Sequence, residues 1–257
     1  MKLAIQKIIF RSLVVTSSIF FLNSSFADDI KKGNEPFAVV ELFESEGCSS
    51  CPPADDLLRE IKNSIRYKNK KIFILDFHVD YWDELGWKDP WSRRQFTKRQ
   101  YHYASTKGGS SVYTPQMIIN GIHAFTGSNS DKAYQNIDQM LLEPAKTNME
   151  LKMIADTTTE VSVNYKITNV PESAVLNFAL VEDGLVSHVL NGENSGRTLR
   201  HTNTVQSFTV VPATQDGEMK IKKPTSLNPQ NACVIAYLQN SETMEILGVS
   251  RLDFNLP

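Results

Sequence analysis

The chain has few of the residues that build metal sites and disulfide-rich scaffolds. Its 257 residues include three cysteines and five histidines, and Cys48 and Cys51 form its one C-x-x-C pair. A structural zinc site needs four ligands, usually two such pairs or one pair and two histidines. The remaining cysteine, Cys233, lies in an apolar segment and is interpreted as a buried core thiol. We therefore assign no metal ligands and no cofactor from the sequence.

Basic stripes, internal repeats and low-complexity tracts are also missing. The formal net charge is −2, and lysines and arginines do not cluster along one segment. We therefore expect no nucleic-acid partner. No nucleophile elbow accompanies the serines, which disfavours a Ser-His-Asp hydrolase. A hydrophobic content of 41% and a charged content of 22% are those of a globular protein, and the length fits one or two domains.

The apolar run near the N-terminus is too short for a membrane span of about 20 residues. Residues 1–27 combine a basic start, an apolar run at 12–22 and a small-x-small site at 25–27, which together predict a signal peptide. A polar linker at 28–35 follows, and no cysteine marks a lipid anchor. We expect a periplasmic or secreted protein without a membrane span once the signal is removed. Disulfides persist in such compartments.

The chemistry centres on residues 41–56, ELFESEGCSSCPPADD. An apolar strand at 37–43 precedes the C-x-x-C, and two prolines and a helical pattern at 55–66 follow it. A strand, a C-x-x-C and a helix in this order are typical of thioredoxin-like redox proteins. Two intervening residues let both sulfurs meet with little strain. A structural disulfide and half of a metal site are the alternative interpretations.

Four strings together resemble a family of secreted bacterial thioredoxin-like proteins without an assigned function: ELFESEGCSSCPPAD, HVDYWDELGWKDPW, VYTPQ and GENSGRTLRH. The resemblance extends from about residue 36 to the C-terminus. It implies that Cys48 is the exposed nucleophile and that Cys51 resolves the mixed disulfide. It also implies a cis peptide bond at Pro115 beside the sulfurs, where the Thr114 backbone would pair with an extended peptide. It does not supply a substrate.

We predict an α/β thioredoxin-like domain at 36–146 with a helical insertion, followed by an all-β, sandwich-like domain at 148–257. The run IFILDFHV at 72–79 is apolar along nearly its whole length, as expected for a central strand buried on both faces. Further elements of the first domain are strands at 116–120 and 122–125 and helices at 92–104 and 131–142. The second domain is predicted from short β-branched or alternating segments at 149–154, 161–167, 175–180, 205–211, 218–221, 233–238 and 245–254.

Polar residues after the buried strand form a second candidate site. His78 or Asp80 would act as a proton acceptor near Cys51, and Asp83 is a weaker candidate. The alternative is that these groups anchor the insertion at 81–110. That insertion holds all three tryptophans, Trp82, Trp87 and Trp91. They either line a peptide groove, with Trp82 as the first substrate contact, or only pack the insertion against its domain.

Two further sets of charged residues bear on the site. Glu193, Arg197 and His201 belong to the last of the four strings, and they predict either an ion-paired loop between the two domains or a ligand site. The second set crowds the cysteines with negative charge, which disfavours a thiolate and predicts a stable disulfide. It comprises Glu44, Glu46, Asp55 and Asp56.

These observations favour thiol–disulfide exchange with exported thiol-containing proteins or small thiols, together with an unidentified redox partner. Two other classes stay open. One is a non-catalytic binding protein whose disulfide is locked shut, and the other is a copper or zinc carrier that uses both thiolates.

Overall fold

One mixed sheet of eight strands runs through residues 34–254, the part of the chain that the computed structural model describes. The predicted signal peptide at 1–27 lies outside the described residues, as does most of the linker. Residues 34–254 belong to one compact unit. No helix within that range is both long and apolar enough to cross a membrane.

The first half of the described chain forms strands and helices close to the predicted positions. Helix α1 begins at two prolines, which need no amide partner there, and it buries Leu57, Leu58 and Ile61 against the sheet. Two short 3₁₀ turns follow α1 and β2, at Ile65–Tyr67 and Asp83–Leu85. The elements are β1 Phe37–Glu44, α1 Pro52–Asn63, β2 Lys71–His78, α2 Arg94–Thr106, β3 Gln116–Ile119, β4 His123–Thr126 and α3 Ser130–Met140.

The second half is built of strands, with one short 3₁₀ turn at Pro229–Asn231. Most of its strands lie where alternating segments predict them. The short β8–β9 hairpin is not among the predictions. The strands are β5 Met149–Asp156, β6 Glu160–Ile167, β7 Ala174–Glu182, β8 Leu185–His188, β9 Thr198–His201, β10 Thr204–Pro212, β11 Asp216–Lys222, β12 Ala232–Asn240 and β13 Ile246–Asp253.

The order of strands in the large sheet corrects the predicted fold class. The order is β13-β12-β7-β10-β2-β1-β3-β4, so strands from both predicted domains share one sheet. β10 joins β2 through a parallel pair, Thr204 opposite Asp76. The prediction of a thioredoxin-like α/β domain followed by an all-β domain is wrong, because the structure is mostly β, with 41% strand and 20% helix. Local patterns cannot show a pairing between residues 128 positions apart.

Three apolar clusters hold the layers together. One face of β1–β3 packs on α1 and α3, and the opposite face packs under α2 around stacked Phe43 and Phe77. The small β11-β6-β5 sheet covers the β7 and β12 part of the large sheet. A charged pair is buried in the second cluster: the Arg99 guanidinium donates two hydrogen bonds to Glu41 Oε1, at 2.9 and 2.7 Å.

Candidate functional site

The two cysteines of the C-x-x-C form a disulfide at the junction of β1 and α1. Their Cα atoms lie 5.5 Å apart, and Cys51 is the N-cap of α1. Cys48 is 0% exposed and Cys51 is 1% exposed, whereas Ser49 and Ser50 between them are exposed. The expectation that Cys48 is exposed is therefore wrong for the disulfide form, and access to either sulfur requires a movement of what covers it.

The Thr114–Pro115 peptide bond is cis, as the resemblance implies. Phe43 pairs with Gln116 in the β1–β3 register, so Thr114 and Pro115 lie beside the end of β1, where the cysteine loop begins. A side chain at Gly127 would meet both Pro115 Cβ, at 3.0 Å, and Ala54 Cβ in the first turn of α1, at 3.3 Å. The structure therefore brings Pro115 next to the helix that carries Cys51.

Trp82 connects the insertion to this site. Its indole N–H donates a hydrogen bond to Thr114 Oγ1 at 2.8 Å. A Cβ atom placed on Gly47, the residue before Cys48, would lie 3.1 Å from the Cβ of Trp82. Trp82 and Thr114, both predicted to contact substrate, are thus neighbours of the disulfide loop.

Residues 189–197 form a loop that is hydrogen-bonded to the backbone around Cys48, called here the covering loop. The buried side chain of Asn194 donates hydrogen bonds to the carbonyl oxygens of Glu46, at 2.8 Å, and Cys48, at 2.9 Å. Glu193 accepts a hydrogen bond from the Ser49 amide at 3.0 Å, and the Ser49 side chain and amide together lower the pKa of its carboxyl. Arg197 donates to Asn194 Oδ1 at 3.0 Å. Hydrogen bonds to the cysteine loop therefore hold this loop in place.

Below the disulfide loop lies a fully buried group of four side chains, called here the His–carboxylate cluster: Glu44, Asp76, His78 and His201. One possible ligand atom from each lies within 4.8 Å of the others, and none of the four side chains is more than 1% exposed. The β1–β2 register pairs Glu44 with His78, and Asp76 lies two residues earlier on the same face of β2. His201 enters from the end of β9.

The distances within the cluster are those of direct polar contacts. His78 Nε2 lies 3.0 Å from Asp76 Oδ2 and 3.2 Å from Glu44 Oε1. His201 Nδ1 lies 3.2 Å from Glu44 Oε1 and 3.3 Å from Asp55 Oδ1. The two imidazole centroids are 4.7 Å apart. Glu44 thus stands between the two histidines.

The second nitrogen of each imidazole meets another buried carboxylate. His78 Nδ1 lies 2.7 Å from Asp89 Oδ2, and His201 Nε2 lies 3.1 Å from Glu46 Oε1. Trp91 packs edge-on against both imidazoles, with centroid distances of 5.6 and 5.1 Å. These outer contacts fix the orientation of both rings.

The charges of the cluster shift the protonation equilibria of its members. Burial alone would lower the pKa of His78, but the carboxylates of Asp89, Asp76 and Glu44 raise it well above the usual value. Burial likewise opposes the rise in the pKa of His201, which Asp55, Glu44 and Glu46 cause. Burial raises the pKa of Glu44, and the charges of Asp55 and Asp76 raise it further. The cluster therefore favours protonated imidazoles while it contains only protein groups.

The structure separates the predicted proton acceptors. His78 belongs to the His–carboxylate cluster, but Asp80 accepts a hydrogen bond from Thr97 Oγ1 at 2.6 Å. Asp83 accepts one from Ser92 Oγ at 2.7 Å. Asp80 and Asp83 therefore anchor the insertion, which is the alternative that the sequence left open.

The three residues predicted from the last of the four strings, Glu193, Arg197 and His201, also lie in different places. Glu193 and Arg197 hold the covering loop, whereas His201 is buried among carboxylates. Sequence reasoning missed Asp76, Asp89 and Asn194 as members of this region. The alternation of Asp76 and His78 inside an otherwise apolar strand is a signal that was present, because both side chains must face the same side of β2.

Of the acidic residues predicted to surround the cysteines, three are buried against His201 and one is not. Glu44, Glu46 and Asp55 contact that imidazole, whereas Asp56 is exposed and pairs with Arg59. Because a protonated imidazole offsets part of the buried negative charge, the electrostatic argument against a thiolate at Cys48 is weaker than the sequence alone indicates.

Comparison with solved structures finds a similarity that extends over most of the chain. The crystal structure of a protein from Agrobacterium tumefaciens, determined in a structural genomics programme, is 27% identical, with a TM-score of 0.64 over 87% of this chain and 98% of that one. A domain of the outer membrane lipoprotein Omp28 from Porphyromonas gingivalis is 18% identical over 43% of this chain and 89% of that domain, with a TM-score of 0.29. The second similarity carries no argument.

Sequence comparison places the chain in a family. No curated protein matches it. The model of one family, described as "Protein of unknown function (DUF1223)", matches residues 39–239. That match spans most of the chain, including the cysteine pair, the His–carboxylate cluster and the covering loop. The chain belongs to the DUF1223 family.

Proposed function

We propose that the protein exchanges thiols and disulfides through Cys48 and Cys51. Its partners would be thiol-containing proteins or small thiols in the periplasm or outside the cell, together with a redox partner of its own. The observation that carries the proposal is the disulfide at the start of α1, with Thr114 and Pro115 beside the end of β1 that leads into it. We infer that the Thr114 backbone would pair with an extended substrate there.

The proposed exchange moves two electrons in two steps. A substrate thiolate attacks Cys48 Sγ and forms a mixed disulfide, and the Cys51 thiolate leaves. A second substrate thiol then releases the reduced protein, so the substrate gains a disulfide and the protein gains two thiols. Cys48 is the proposed site of attack because it lies in the loop before α1, whereas Cys51 is fixed in the helix N-cap.

The exchange requires that the covering loop open. Both sulfurs are buried, but Ser49 and Ser50, which lie between the two cysteines in the chain, are exposed. The covering loop is hydrogen-bonded to the cysteine loop through Glu193 and Asn194. Release of these hydrogen bonds would uncover Cys48 without unfolding of the sheet. Thr114 and Trp82 would then border the opened site, since Trp82 joins Thr114 to the segment before Cys48.

The test is equilibration of the folded protein with mixtures of reduced and oxidised glutathione, followed by alkylation and mass spectrometry. As the glutathione mixture becomes more reducing, we expect the number of alkylated cysteines to rise by two in one cooperative step. After reduction, Cys48 should be labelled faster than Cys51. The Cys48→Ser, Cys51→Ser double variant is the control for Cys233. Cys51→Ala should trap mixed disulfides on Cys48. A folded protein that never exchanges with glutathione would overturn the proposal.

A second function is favoured by one specific observation. Both sulfurs are buried and Asn194 holds the Cys48 carbonyl, as expected for a binding protein whose disulfide only stabilises the fold. That protein would resist reductant while folded and be reduced only in denaturant. The glutathione experiment, repeated in urea, separates the two functions.

A further inference from the structure

We propose that Glu44, Asp76, His78 and His201 bind a divalent transition-metal ion of the zinc type. The site goes beyond the proposed exchange function and uses neither cysteine. Its four side chains each offer a ligand atom within 4.8 Å of the others. Imidazole nitrogens together with carboxylate oxygens suit zinc and its first-row neighbours.

The spacing of the donor atoms fits a small four-coordinate ion. Bonds of about 2.0–2.1 Å in a tetrahedron place neighbouring ligand atoms about 3.3 Å apart. His78 Nε2 lies 3.0 Å from Asp76 Oδ2 and 3.2 Å from Glu44 Oε1. His201 Nδ1 lies 3.2 Å from the same Glu44 oxygen. Three of the six distances between donor atoms are thus already close to the tetrahedral value, and all six are within 4.8 Å.

The outer contacts of both histidines support a metal in this position. Metal-binding imidazoles usually donate their second N–H to a carboxylate, which fixes the tautomer. Asp89 Oδ2 lies 2.7 Å from His78 Nδ1, and Glu46 Oε1 lies 3.1 Å from His201 Nε2. Each ring faces carboxylates at both nitrogens, and without a metal it can donate to both only when protonated, because a neutral imidazole has one N–H. A metal at the inner nitrogen satisfies that arrangement and leaves the outer N–H to donate.

A buried oxygen without a hydrogen-bond partner and an excess of buried carboxylates also support a bound metal ion. Asp76 is 0% exposed, and its Oδ1 has no hydrogen-bond partner among the described residues. Five buried carboxylates face two imidazoles, and no Lys or Arg within residues 34–254 forms an ion pair with any of the five. Uncompensated charge of this kind is costly in a protein interior, and paired or metal-bound charge is the usual remedy. The carboxylates are Glu44, Glu46, Asp55, Asp76 and Asp89.

The closed surroundings indicate a structural ion rather than a catalytic one. Catalytic zinc sites keep one position open to water, whereas structural sites have four protein ligands. The four ligands here are buried and come from β1, β2 and the end of β9. A bound ion would therefore join the β8–β9 hairpin, which precedes β10, to the central strands of the sheet.

The test is titration of the purified, chelator-treated protein with Co²⁺, followed by competition with Zn²⁺. We expect one ion per chain, visible d–d absorption without thiolate charge-transfer bands, and a higher melting temperature with Zn²⁺. Co²⁺ should quench Trp91, whose ring packs on both imidazoles. Trp91→Phe should bind one ion with that quenching lost.

Matched variants locate the ion. His201→Gln should remove tight binding, whereas His188→Gln, on the same hairpin but exposed, should bind as the wild type does. Asp89→Asn, which keeps all four ligands, should weaken binding about 10–100-fold. The Cys48→Ser, Cys51→Ser double variant should bind normally and yet lack disulfide exchange, which separates this proposal from the proposed function.

Three outcomes would overturn the site. The first is a folded wild-type protein that binds neither Co²⁺ nor Zn²⁺ at one ion per chain, a result that does not depend on whether any variant folds. The second is loss of binding in the double cysteine variant, which would assign the ion to the thiolates. The third is an equal loss of affinity in His188→Gln and His201→Gln.

Discussion

Truncation of Asn194 tests whether the covering loop controls access to the disulfide. Asn194→Ala removes the hydrogen bonds to the carbonyl oxygens of Glu46 and Cys48. A buried polar group left without a partner costs about 1–3 kcal/mol. The Cys48 carbonyl keeps the hydrogen bond from the Cys51 amide, so we expect a loss of about 2 kcal/mol, mostly at Glu46. That energy corresponds to about a 30-fold change in an equilibrium constant.

If loop opening limits reduction, the folded Asn194→Ala variant should be reduced by dithiothreitol up to about 30-fold faster than the wild type. The rate is measured by quenching with iodoacetamide at intervals and counting labelled cysteines by mass spectrometry. Ser195→Ala is the matched control, because Ser195 lies in the same loop but its hydroxyl donates within that loop, to the Leu190 carbonyl. A folded Asn194→Ala protein that is reduced at the wild-type rate would refute the role of the loop.

Three further predictions follow from other contacts. Glu41→Gln leaves the buried Arg99 without its charged partner, so urea unfolding should show a loss of about 3–5 kcal/mol, against almost none for exposed Glu150→Gln. Burial raises the pKa of Cys233 from 9.0 to about 11, so its thiolate forms only as the pH rises towards 11. Its alkylation at pH 8 should be about 100-fold slower in the folded than in the unfolded protein, and equal rates would contradict its burial. Reduction of the disulfide should change tryptophan emission and Trp82→Phe should remove most of that change, whereas a flat wild-type signal would place Trp82 too far from the sulfurs.

Local patterns predict the parts of the site that lie close together in the chain. The apolar run before Cys48 and the prolines after Cys51 define β1, the turn and the start of α1. The nearly continuous apolar segment at 72–79 predicts a strand buried on both faces, and β2 is buried from Phe73 to His78. These features are visible because neighbouring residues decide them, through the spacing of apolar side chains and the missing amide of proline.

The rest depends on one non-local pairing. Thr204 lies opposite Asp76, the Asp76 amide donates to the Asn203 carbonyl at 3.2 Å, and Asn203 Nδ2 donates to the Ile74 carbonyl at 3.3 Å. These bonds place the chain just after β9 against β2, and His201 therefore meets His78. Neither the short β9 strand nor the pairing of β10 with β2 can be predicted from composition. The same residues fit an isolated β-domain equally well.

Glu46 joins the disulfide loop to the His–carboxylate cluster. Its amide donates to Asp89 Oδ2 at 2.8 Å, and its carboxylate accepts from the Trp87 indole at 2.7 Å and contacts His201. Its carbonyl accepts from Asn194. The same Asp89 oxygen also contacts His78, so both imidazoles are linked to the backbone two residues before Cys48. Glu44, Glu46 and Asp55, which the sequence assigns to thiolate electrostatics, therefore support the cysteine loop, whereas Asp56 is exposed and pairs with Arg59.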